Sequence, residues 1–206
     1  MFALVESGSI TKMLNGRKGI TIGDIQHPQQ IFSLWTEAER NAIGIYEVTI
    51  DTSKKKDEQW YINTNITYAF GSGKVTGTYG TATAKAHADT TYTEQDKTDD
   101  LIPVDKDVGD IKDRGLKYQL IYKVKVEAES ILNETDWYIT RKAEKSTAIP
   151  SSITTHRDAV RTKQASMETA ITNAADTPAL ETLYTFTKQE DGSVTRPLGV
   201  LPTLGD

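Results

Sequence analysis

Three histidines, His27, His87 and His156, are the first candidates for acid–base or metal chemistry in this chain. Zinc needs three or four converging ligands, often two of them at a spacing such as HxxxH or HExxH. These histidines stand far apart and none has such a neighbour, so no metal site is expected. The acidic run Asp96, Asp99, Asp100, Asp105, Asp107 and Asp110 invites a calcium reading. An EF-hand loop alternates oxygen ligands around a central glycine and closes on glutamate. Here the spacing differs and Pro103 interrupts it, which reads as a solvated linker. Ser7-Gly8-Ser9 and Gly71-Ser72-Gly73 do not form a GxSxG nucleophile elbow. Gly16-Arg17-Lys18-Gly19 is too short for a phosphate loop. The chain has no cysteine, which excludes thiolate nucleophiles, thiolate zinc sites and disulfides. The expectation is a protein that is not an enzyme and carries no cofactor.

Recognition is the remaining chemistry. Trp137, Tyr138 and Arg141 lie within five residues of one another, and Trp and Arg dominate binding hot spots. Two readings stay open. Trp137 plugs the gap between two antiparallel helices while Arg141 pairs with Asp136 or Glu144, or Trp137 and Arg141 meet a partner. Trp60, Tyr61 and Tyr68 could form a sugar-stacking face, but the even spacing of Trp60 and Tyr68 favours one buried sheet face. The net charge of −5 comes from interleaved acids and bases, a poor fit to nucleic acid. No apolar run reaches the roughly 18 residues of a membrane span, and none is expected. Residues Met1 to Glu6 lack the basic start and apolar core of a signal peptide, so no leader is expected.

The elements that would position these groups divide the chain. Many of its 29 threonines cluster between Thr49 and Thr98, which points to a sheet in the first half. Phe2 to Val5 and Ile10 to Leu14 read as a hairpin around Ser7-Gly8-Ser9. Thr36 and Glu39 stand at capping-box spacing, with Trp35 before the cap and Gly44 suited to end the helix. Ile45 to Ile50 follows as a strand. Trp60, Ile62, Ile66, Tyr68 and Phe70 alternate as one buried strand face, and Lys74 to Ala84 returns as an edge strand or arm. The second half changes period. Leu120, Ile121, Val124, Ala128, Ile131 and Leu132 share a helical face from about 110 to 133, with Asp110 as cap. After Pro150 a second helix carries Ile153, Val160, Met167 and Ala174 at heptad spacing, with Arg157, Gln164 and Ile171 between them. A third short helix starts at Pro178. The fold class is therefore α+β: a β-rich N-terminal domain (1–85), a polar linker (86–109), a helical hairpin (110–185) and an extended C-terminal arm (186–206). The arm is too sparse for a core and is ordered only if something grips it.

One stretch carries a family likeness. Asp136-Trp137-Tyr138-Ile139-Thr140-Arg141-Lys142-Ala143-Glu144, then Ala148-Ile149-Pro150, then a helix with Arg157 and Arg161, resembles a module of tailed-bacteriophage proteins. In that module a long helix ends before a "DW…R" segment, and an "IP" step leads into a second helix. It occurs in tail-fibre assembly proteins and small virion proteins, and the likeness spans roughly residues 110 to 185. The opening Phe2-Ala3-Leu4-Val5-Glu6 and Trp35 to Val48 also look like small tail proteins. The resemblance implies a structural protein of the virion tail, made in the host cytoplasm, that attaches, positions or helps assemble the tail fibre. Its partners would be other tail or fibre proteins and copies of itself. The residues themselves offer Trp137, Tyr138 and Arg141 as partner-binding candidates, and Val160, Met167 and Ile171 as a stripe that buries against Leu120, Val124 and Ile131 and turns any surplus face to a partner. A transient assembly chaperone and a tail-borne carbohydrate-binding module are the alternatives. Burial of the face around Trp60 would end the second.

Overall fold

The structure, a computed structural model, describes residues 1–205. The chain separates into two units, residues 1–83 and 84–206. The first is β-rich and the second mainly helical, the α+β organisation expected from the pattern.

The first unit contains β1 (Phe2–Glu6), β2 (Ser9–Leu14), β3 (Ile20–Ile22), β4 (Ile25–His27), α1 (Ile31–Leu34), α2 (Glu37–Ala42), β5 (Ile45–Asp51), β6 (Tyr61–Ile62), β7 (Ile66–Gly71) and β8 (Lys74–Tyr79). Five strands form one sheet in the order β2-β1-β5-β8-β7. Its neighbours are antiparallel except β5 and β8, which run parallel with Val48 opposite Val75. The two edges, β2 and β7, approach each other, so the sheet curls. β1 is covered on both faces. Leu4 packs with Ile20, Ile31 and Ile45, and Ala3 and Val5 pack with Val75. A strand buried on both sides reads as an unbroken apolar run, which is what Ala3-Leu4-Val5 is.

The first hairpin turn is tighter than the three-residue loop that Ser7-Gly8-Ser9 suggests. Ser7-Gly8 and Ser72-Gly73 are two-residue turns with positive φ throughout (49°, 78° and 52°, 71°). That geometry matches the twist of the flanking strands. The helix signals hold: Thr36 and Glu39 form the reciprocal capping box, and Gly44 follows the helix at φ +80°.

Two strand expectations are corrected. The run from Trp60 to Phe70 is not one strand. The Asn63 side chain folds back onto the backbone of Lys56, and Thr64 Oγ1 accepts from Gly80 N at 2.6 Å, so pairing breaks between Ile62 and Ile66. Trp60 is buried while Ile62 and Tyr68 are exposed. Lys74–Tyr79 is not an edge. It lies between β5 and β7, and its small residues let both neighbours close over it.

The second unit corrects the expected linker. Beyond β9 (Thr83–Ala84), which spans the boundary, come β10 (Thr90–Thr91), α3 (Glu94–Thr98) and β11 (Ile111–Asp113). β10 pairs with β11, and Thr93 and Asp96 form a second capping box. Lys112 Nζ bonds Asp96 Oδ1 at 2.5 Å, tying α3 to β11. Polar composition did not mean disorder here, because the carboxylate and hydroxyls satisfy one another and the local backbone.

α4 (Leu116–Asn133) begins later than Asp110, with Gly115 at its cap position. Its cap comes from a distance: Gly115 N donates to Asp89 Oδ1 at 2.8 Å, and Leu116 N and Lys117 N donate to the carbonyls of Ala86 and His87. A Cβ on Gly115 would stand 2.3 Å from the Ala88 backbone, so only glycine allows this approach.

α5 (Asp136–Lys145), α6 (Ser151–Asn173) and α7 (Thr177–Tyr184) follow. α4 and α6 pack antiparallel, with Lys117 Nζ on Thr172 O at one end and Arg157 on Leu132 O at the other. Leu116, Leu120, Val124 and Ala128 are buried from α4, and Ile153, Val160, Met167 and Ile171 from α6. The C-terminal arm carries a small hairpin, β12 (Thr187–Lys188) with β13 (Val194–Thr195), and is gripped by its own unit. Leu198 N donates to Leu183 O at 3.0 Å, Arg196 lies over the rings of Tyr184 and Phe186, and Leu198 and Leu201 are buried.

Candidate partner-binding site

The corner between α4 and α5 is built around a buried arginine. Arg157, on the seam of α6, directs Nη1 at Leu132 O (2.7 Å), Thr135 Oγ1 (2.7 Å) and Asp136 Oδ1 (2.8 Å). Thr135 is 1% exposed and donates its own hydroxyl to Leu132 O at 3.0 Å. A guanidinium in an apolar seam must find acceptors or leave a charge unsatisfied. The end of α4 supplies a carbonyl, a hydroxyl and a carboxylate, so one side chain fixes where α4 stops and α5 starts. Asp136 also sits in the first turn of α5, where a carboxylate suits the exposed amides.

This geometry settles the first of the two readings of Trp137. The indole does not plug the gap between the helices; it is 51% exposed. Arg141 does not pair with Asp136, whose carboxylate is held by Arg157, and no ion pair links it to Glu144 among the described residues. Arg141 instead lies 4.6 Å from the centre of the Trp137 ring and 5.2 Å from that of Tyr138, and the two rings are 3.8 Å apart. Its Nε is buried without a hydrogen-bond partner. The three side chains form one stacked cluster on the surface of α5.

α5 buries none of its 10 residues. An isolated helix of that length is marginal in water. The Arg157 contacts hold its first turn, and the left-handed Ser146 ends it. Ile139 is also exposed. The cluster is therefore a preformed, half-wet aromatic and cationic surface of the composition found at binding hot spots.

The other three candidates are corrected. Val160, Met167 and Ile171 are fully buried on the seam between α4 and α6, so they cannot meet a partner from the surface. They act by positioning the corner. The residues that sequence reasoning missed are Thr135 and Asp136 as acceptors for Arg157. A charged residue on an apolar heptad seam was the available signal, since it demands acceptors on the facing element.

Along α6 the surface charges are locally paired. An open groove of about 720 Å³ runs along α6 past Arg161, Gln164 and Glu168. Arg161 faces Asp158 at 3.4 Å and Glu168 faces Lys125 at 3.6 Å. Trp60, the centre of the proposed sugar-stacking face, is 4% exposed and so does not offer its ring to a sugar, while Tyr68 of the same face is exposed. His27 lies in the first unit, edge-on to Trp35, and His87 and His156 in the second. Among the described residues no group of three or more His, Asp or Glu could hold a metal ion, and no helix is long and apolar enough to cross a membrane. Comparison of the chain with protein-family models, with curated proteins and with solved structures returned no match.

Proposed function

We propose that this chain is a non-enzymatic structural protein of a bacteriophage tail, which attaches, positions or helps assemble the tail fibre by protein–protein packing. The observation that carries the reading is the exposed Trp137–Tyr138–Arg141 cluster on a helix that buries nothing of its own. That helix is the "DWYITR" segment on which the resemblance to tail proteins rests. The corner is held rigid by Arg157, so a partner meets a surface whose ordering is already complete, which lowers the cost of binding.

The test is mass spectrometry of purified particles from a producing lysate, paired with capture of tail proteins on the immobilised chain. Detection in stoichiometric amount in the particle, and loss of capture in Trp137→Ala, support the reading. A chain captured by fibre protein but absent from the particle is a transient assembly factor. Absence from both overturns the proposal.

A further inference from the structure

α5 lacks a cover, and the second unit carries a segment of matching chemistry. On α5 the face Trp137, Arg141 and Lys145 is aromatic and cationic, with Lys142 beside it. None of these cations makes an ion pair among the described residues. The segment from Asp99 to Asp110, between α3 and β11, carries five aspartates against the single lysine Lys106, beside exposed apolar residues. Its Leu101, Val104 and Val108 are exposed, Val104 entirely. Its carboxylates Asp99, Asp100, Asp105, Asp107 and Asp110 make no ion pair among the described residues either. Backbone bonds hold the base of the segment: Gly109 N donates to Tyr92 O, and Tyr92 N donates to Asp110 O. It projects as a shaped loop.

Within one chain the two surfaces share no ion pair among the described residues. The acidic segment lies before β11, at the N-terminal end of α4, and α5 follows the C-terminal end. The 18 residues of α4 hold these ends about 27 Å apart. A second copy can present its loop to this helix face.

We propose that the occupant of the α5 face is the 99–110 segment of a second copy of this chain, with Asp105 and Asp107 meeting Arg141 and Lys145 and the exposed valines covering Trp137. The contact is heterologous, because donor and acceptor are different patches. Repetition gives a ring where the rotation closes and a filament where it does not. The inference deepens the self-association within the proposed function but does not need a particle to be tested.

Sedimentation velocity of the full chain over about 1–200 µM covers the range where weak contacts populate. The wild type is expected to grow in mass with concentration and to dissociate in about 0.5 M salt, which screens exposed charges. Asp105→Lys/Asp107→Lys and Arg141→Glu/Lys145→Glu should each weaken association by about tenfold or more. Their 1:1 mixture should regain it, since each reversed patch then finds its complement. Unchanged helical circular dichroism checks that both variants keep their fold. A wild type that stays monomeric overturns the proposal, as do variants that associate normally or a mixture that stays apart. Particle composition decides the tail-protein reading separately, so the two can fail independently.

Discussion

Arg157 and Thr135 meet at 2.7 Å in the interior of the helical unit, and both are almost fully shielded from water. Twenty-two residues separate them, and the contact joins the second turn of one helix to the corner between two others. That contact makes the order of α5 depend on α6.

Arg157→Ala removes the guanidinium shared by Thr135 and the Leu132 carbonyl and leaves them only their bond to each other and the Thr135 amide in a dry seam. The expected loss is about 2–4 kcal/mol of unfolding free energy, read by urea denaturation. Asp136→Ala should cost about 1 kcal/mol or less, because that carboxylate is half-exposed. Arg157→Lys should recover little, since an ammonium cannot match a planar fork. Equal losses in the two alanine variants would show that the exposed ion pair, not the buried bonds, holds the corner.

Trp137→Ala should leave stability within about 0.5 kcal/mol, as exposed positions usually do. In the same protein, partner capture should fall. Acrylamide quenching of fluorescence should also drop, because the most exposed indole has gone while Trp60 remains buried.

Gly115→Ala sets a methyl against the Ala88 backbone, where no flexible side chain can yield. The expected cost is about 1–3 kcal/mol by thermal denaturation. Hydrogen exchange should locate the damage at the start of α4 and in β10–β11.

Acid should loosen the same region first. The Lys112 amine, and then the Thr93 hydroxyl and amide, hold the Asp96 carboxyl down to about 2 from the usual 3.8. Gly115 N and the Arg114 guanidinium lower Asp89 in the same sense. A carboxyl lowered in the folded state stabilises above its unfolded value, and that contribution disappears as pH falls through the folded one. Melting curves between about pH 5 and 2 should therefore fall less steeply in Asp96→Asn than in the wild type. A parallel fall would contradict the assignment.

The opposite limb belongs to Tyr184. Burial pushes its phenol up to about 12, with Glu127 adding to the rise and Arg196 opposing it. A raised group stabilises fully below its unfolded value of 10.0, and the contribution is lost as pH climbs towards about 12. Phenolate absorbance should show one late-titrating tyrosine that is missing in Tyr184→Phe.

Local rules carried far in this sequence. The capping box at Thr36 and Glu39, the two Ser-Gly turns and the heptad from Ile153 to Met167 all follow from neighbours within a few residues, where a pattern has one physical solution. Long-range events were hidden. Asp89 reaches Gly115 across 26 positions to start α4, and that start erased the expected cap at Asp110. The alternation from Trp60 to Phe70 looked continuous because period alone does not register the break that Asn63 and Thr64 impose. The sequence leaves Trp137 open as filler or as contact. A short helix with no buried residue is visible only once its neighbours are placed.

The parallel pairing of β5 with β8 bears on synthesis. The hairpin of β1 and β2 and its partner β5 are complete once Asp51 has emerged, but β8 is still more than twenty residues away. Until it arrives, β5 presents an unpaired edge bearing Tyr46, Val48 and Ile50, a template on which another nascent chain can add. The charged stretch Lys54-Lys55-Lys56-Asp57-Glu58, which leaves the ribosome directly after that edge, is placed to guard it during the delay.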